Sequence, residues 1–200
     1  MSPSRRVVAT VLFVVAAVSL AACSTTDQIG AAAVVGDDRI TVGQLQQEVR
    51  DLADSLPDSA GATGDQSAAQ HAILERLIQS ELIAAVAADE GVEVSDADVD
   101  TFIEEQVVAQ APDGDIGPLL AQSNLTETSL RSFVRDQLTA DQLIEQFGGQ
   151  EQLIEALTEK ADEIGVTVSP RYGTWEGVTL EQSSGSISEP EPVPTPTPAG

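Results

Sequence analysis

A 200-residue chain with one cysteine, one histidine and 33 carboxylates has few ways to do covalent chemistry. A single imidazole, His71, with no nucleophile motif beside it makes a Ser–His–Asp or Cys–His arrangement untenable. Glu75 follows His71 by one helical turn and would favour its charged form at a surface, so His71 reads as an ordinary helix-surface histidine. Asp96, Asp98 and Asp100 imitate the opening of a calcium loop. Its sixth position, however, is Thr101 instead of glycine, and its twelfth is Val107 instead of glutamate. Asp113-Gly114-Asp115 fails at the equivalent places. Glu104-Glu105 and Asp162-Glu163 offer carboxylate pairs for acid–base work, but among 33 acids such neighbours arise by chance. The expectation is a protein that is not an enzyme and holds no metal or cofactor.

The elements that must position a functional surface are therefore more informative than any catalytic pattern. Nine Lys and Arg leave a formal charge of −24. Phosphate backbones repel such a chain, which argues against nucleic acid as a partner. The length suits one core with a small appendage.

Residues 1–22 carry Arg5 and Arg6 ahead of an apolar run over 7–18, then small residues, as a secretory signal does. The run is shorter than the roughly 20 residues that span a bilayer. Leu20-Ala21-Ala22-Cys23 resembles the lipobox of bacterial lipoproteins. That resemblance implies cleavage before Cys23 and acylation of its thiol, two chains being what stable anchoring requires. The expected location is the extracytoplasmic side of the cell membrane, with residues 23–31 as a tether.

Beyond the tether, Val34-Val35 and Arg39-Ile40-Thr41 flank Gly36-Asp37-Asp38, a tight turn between two short strands. Thr41 and Gln44 fit a capping box that opens a helix with Leu45, Val49, Leu52 and Leu56 on one face. A Ser/Gly-rich loop over 57–66 follows. The second helix, 66–90, carries Leu74, Leu77, Ile78, Leu82, Ala85 and Val86 and stops at Gly91. Ser95 caps a third, with Asp96 and Asp98 in the first turn and Val99, Phe102, Ile103 and Val107 as its buried stripe. Residues 111–124 read as a loop from which Leu119-Leu120 dip back. Thr126 opens a fourth helix between the staple pair Leu125 and Leu130; its face is Leu130, Phe133, Val134, Leu138, Ile144 and Phe147. A fifth carries Leu153, Ile154, Leu157, Ala161 and Ile164 up to Gly165. Val166-Thr167-Val168 alternates like a strand. Two short segments at opposite ends of a helical array are stable only if they pair. The Glu-Pro and Thr-Pro tail over 181–200 cannot bury apolar area.

This order of elements resembles a known family. A strand and turn ending in Ile40-Thr41, then a helix, then Leu77-Ile78-Gln79-Ser80-Glu81-Leu82-Ile83, then residues 91–99 (GVEVSDADV) is similar to the N-terminal domain of SurA and PrsA, extracytoplasmic chaperones and foldases. Residues 166–175, with the chain's only Tyr and Trp, resemble the closing strand of an actinobacterial lipoprotein branch, which eight arginines against one lysine also suit. The resemblance covers about residues 32–177. It implies a mainly α domain over 32–180, of four to five amphipathic helices, with a two- or three-stranded sheet joining the terminal strands through Val34, Val35, Ile40, Val166, Val168, Tyr172 and Trp175. Isomerases of the family carry a parvulin domain where this chain has only Phe147-Gly148-Gly149-Gln150. Peptidyl-prolyl isomerase chemistry is therefore not carried over.

The implied function is a lipid-anchored chaperone-like protein for unfolded or partly folded secreted polypeptides, with Leu77, Leu82, Phe102, Phe133 and Phe147 as client-contacting or core positions. The alternatives are a structural or interaction lipoprotein with one envelope partner, or a degenerate relative of the isomerases.

Overall fold

A computed structural model describes residues 30–55, 66–111 and 114–182. The leader, Cys23, residues 24–29 of the tether, Leu56, the loop after it, Pro112, Asp113 and the tail from 183 lie outside the described residues.

Strand β1 (Ala31–Val35) turns through Gly36-Asp37 into β2 (Asp38–Thr41). Gly36 has φ 58°, a conformation L-residues avoid and hairpin turns of two residues need. Its N–H also donates to Gly165 O at 2.9 Å, tying the hairpin tip to the far end of the chain. Thr41 Oγ1 accepts from Gln44 N–H at 3.0 Å at the start of α1 (Val42–Ser55), whose Leu45, Val49 and Leu52 are buried.

Helix α2 (Gln66–Glu90) is the axis of the domain, packing against α1, β1 and two later helices. It ends at Gly91 (φ 68°), where Val92 N–H reaches back to Ala87 O at 2.9 Å and satisfies a terminal carbonyl. Ser95 caps α3 (Asp96–Phe102) in a full capping box closed by the Asp98 carboxylate. The acid that looked like a calcium ligand is thus a helix cap.

The third helix does not continue as expected. After Phe102 the backbone widens into a π turn (Ile103–Val107), with Val108 N–H donating to Ile103 O five residues back, and then tightens into a 3-10 turn (Val108–Gln110). Of the expected stripe only Val99 is fully buried; Phe102, Ile103 and Val107 stay half covered.

The expected loop after it contains a short helix, α4 (Gly117–Gln122), begun by Asp115 Oδ1 accepting from Gly117 N–H at 3.0 Å. Pro118 sits near its start, where its missing N–H costs nothing. Helix α5 (Glu127–Phe147) is capped by Thr126 and Ser129 reciprocally, and Leu125 and Leu130 are both buried as a staple requires. Gly148, left-handed at φ 87°, closes α5, and α6 (Gln150–Ile164) starts after Gly149.

Strand β3 (Val166–Val168) then pairs antiparallel with β1, Val35 against Val166 and Ala33 against Val168. The sheet order is β2-β1-β3, so the central strand is the first one and the last helix delivers its second partner. Largely buried, β1 is wholly apolar, as strands covered on both faces are.

Three boundaries and roles need correction. Ala31, assigned to the tether, is buried and pairs with Thr41. Glu181, assigned to the tail, ends a hairpin of β4 (Thr174–Glu176) and β5 (Thr179–Glu181). Trp175 lies on that separate hairpin and Tyr172 in the turn before it, so neither closes the sheet. The Ser169-Pro170 break ends β3 and redirects the chain. The hairpin docks on α2: Gln79 Nε2 donates to Val178 O at 2.9 Å, and Glu75 Oε2 accepts from Leu180 N–H at 3.3 Å.

The core has two parts. The larger gathers β1, β2, α1, α2, the second half of α5, α6 and Leu180. The smaller lies among α3, the π turn, α4 and the first half of α5.

Candidate functional site

The smaller cluster leaves apolar surface uncovered. Val99, Leu120, Leu125, Leu130 and Val134 are buried there, while Phe102, Ile103, Val107, Ile116, Phe133 and Leu138 pack on it only in part. The π turn supplies one side of a groove. Residues five apart on an α-helix point about 140° away from each other, but the wider π turn brings such residues to one side. Phe102 and Val107 thereby line the same groove, with Leu119 and Leu120 from α4, Leu125, and Leu130, Phe133 and Val134 from α5. Its volume is about 270 Å³. The polar lining residues are Gln106, Gln110, Gln122, Ser123 and Gln137, with no charged side chain among them.

Charges beside the groove hold its frame. Arg131 of α5 pairs with Asp100 and, at 3.7 Å, with Asp96; Arg135 pairs with Asp96. Asp96 and Asp100, on one turn of α3, thus bridge that helix to α5 at the surface.

A different cluster of charge lies between α2 and α5. Burial pushes the Glu81 carboxyl above its ordinary value, and the Asp38 and Asp136 carboxylates add to the shift. Asp136 is raised by burial too, against the opposing pull of a Ser80 hydrogen bond and of Arg76 and Arg135. Arg76 also bridges to Glu48 of α1.

The sequence-predicted residues divide cleanly. Phe102 and Phe133 line the groove. Leu82 is sealed in the larger core, and Leu77 and Phe147 pack against it half covered. Val35 and Ile40 are buried in the terminal sheet, and Val34, Val166 and Val168 complete its pairing. His71 is not the open surface side chain expected. It is half-buried beside Arg171 and Tyr172, and its Nε2 is enclosed without a hydrogen-bond partner among the described residues. Its neighbour Glu75 is engaged with the hairpin instead. Among the described residues no three His, Cys, Asp or Glu side chains gather to hold a metal, and no helix is long and apolar enough to cross a membrane.

The glutamines of the groove are what sequence reasoning missed. Gln106 and Gln110 stand one turn apart in a stretch otherwise rich in acid, a signal visible in the sequence, but Gln122 and Gln137 join them only through the fold.

The helical array is closed by its own terminal strands and leaves one lobe partly uncovered. The chain belongs to the family of the SurA-like N-terminal domain, whose sequence model matches residues 2–144. The match ends inside α5, so α6, β3 and the final hairpin lie beyond it. No curated protein and no solved structure matches the chain.

Proposed function

We propose that this protein is a lipid-anchored, extracytoplasmic chaperone-like protein that holds unfolded or partly folded secreted polypeptides in the α3–α4–α5 groove and performs no covalent chemistry. The observation that carries this reading is an apolar groove with no charged side chain among its described lining residues, in a chain of net charge −24. Small-molecule and cofactor pockets commonly span about 300–1,000 Å³. At about 270 Å³, this trough has room for one or two apolar side chains of an extended chain. The glutamine amides can donate to and accept from a peptide backbone whatever its side chains are, which gives the low sequence preference a chaperone needs. Surplus negative charge keeps protein and client in solution. Acylation of Cys23 would hold the domain at the membrane surface.

The test is aggregation of a chemically unfolded client, followed by light scattering. Near-stoichiometric protein is expected to suppress it, and the pair of substitutions Phe102→Ala and Phe133→Ala to remove the suppression while helix content by circular dichroism is kept. Unchanged aggregation with the wild-type protein refutes the reading. Prolyl cis/trans exchange in a model peptide is expected to be unaffected.

A further inference from the structure

We propose that the groove takes extended segments whose apolar side chains are flanked by Lys or Arg. This deepens the chaperone reading and rests on it. Among the described residues, the lining supplies apolar contact and neutral amides and no charged side chain. Acids outnumber bases around it. The described residues 95–111 and 114–138 hold eight acids and two arginines; Asp96 and Asp100 engage both arginines, and Asp136 belongs to the cluster toward α2.

Glu104 and Glu105, both exposed, sit on the π turn between the lining residues Phe102 and Gln106. Asp115 is exposed just ahead of α4, and Glu127 is exposed in the first turn of α5, three residues before the lining Leu130. Charges separated by up to about 10 Å still feel one another at 0.1 M salt. An apolar trough edged by an excess of negative charge therefore concentrates ligands of the opposite sign. A peptide with an apolar centre and basic flanks satisfies both parts of the surface, whereas acidic flanks oppose the field on both sides of the contact.

The experiment uses three twelve-residue peptides bearing a neutral dye, with one Leu/Phe centre and flanks of Lys, Ser or Glu. Each is titrated with the intact protein by fluorescence anisotropy at 50 mM and 500 mM NaCl. The Lys-flanked peptide is expected to bind about tenfold more tightly than the Glu-flanked one at low salt, falling to about twofold or less at high salt. Glu104→Gln with Glu105→Gln narrows the low-salt difference, and Phe133→Ala weakens all three peptides. Equal binding of the three at 50 mM, still lost in Phe133→Ala, overturns the charge preference and leaves the groove reading intact. Binding of the Lys peptide that survives Phe133→Ala places it on the acidic surface outside the groove and overturns the proposal. Binding of none overturns the proposal and the groove reading together.

Discussion

The two cores of this domain are built from the same residue types and do opposite things. Around α2, side chains from seven elements meet, and Leu45, Leu74, Ile78 and Leu143 retain no exposure at all. Around the first half of α5 the described contributors are α3, the turns after it, α4 and the adjoining Val94 and Ile116, and four glutamines and a serine are among the described lining residues. The difference lies in supply. The larger core is enclosed by helices from both sides and by the terminal sheet, whereas the first half of α5 is covered in the smaller one by two short helices, of seven and six residues, and a π turn. A domain can thus keep a well-packed scaffold and an unsatisfied apolar surface side by side, provided that separate elements build them.

That contrast can be broken by substitution. Ile78→Ala empties a fully enclosed site and is expected to cost about 3 kcal/mol, lowering the thermal midpoint by about 10 °C. Differential scanning calorimetry checks it, and a loss below about 1 kcal/mol would mean the larger core is not closed. Phe133→Ala removes a ring that is half exposed already, so the expected loss is about 1 kcal/mol. Near-equal losses at the two sites would erase the distinction.

The smallest effect sharpens the picture of the scaffold. Because Glu81 has a raised pKa in the fold, the native state binds its proton more tightly than the unfolded chain does. The stability it contributes is complete below the ordinary carboxylate value of about 4 and is lost as pH rises through the raised value. Glu81→Gln is therefore expected to raise the thermal midpoint by about 2 °C at pH 7, discounted for its partial exposure, and to leave it unchanged below pH 4. A thermal melt series against pH reads the sign directly.

Local signals were legible and distributed ones were not. Gly91, Ser95, Thr126 and Gly165 mark element ends because a cap is written within three or four residues. The expected bounds 66–90 are those α2 adopts. The pairing of the first strand, expected through Val34 and Val35, with 166–168 followed from the instability of lone strands. Ile73, Ala87 and Leu143 were missed although all are buried. Helix α2 has neighbours on several sides, so its buried residues do not form the single stripe that periodicity detects. The π turn was not legible because it breaks the 3.6-residue period locally, and a single five-residue turn is too short to set a period of its own. The β4–β5 hairpin has three-residue strands, too short for alternation to show. Within the groove, Phe102 and Phe133 were named beforehand, but their separation from Leu82 and Phe147 depends on which helices cover them.

The position of β1 in the middle of its sheet also dictates when the molecule can finish forming. Its second neighbour is made last, so for about ten seconds of synthesis at ordinary elongation rates the nascent chain presents an unpaired strand flank at residues 33–35. Pausing or truncation before residue 168 leaves that flank available to any passing extended segment. A domain of this plan is itself, during its own birth, the kind of polypeptide that needs an escort.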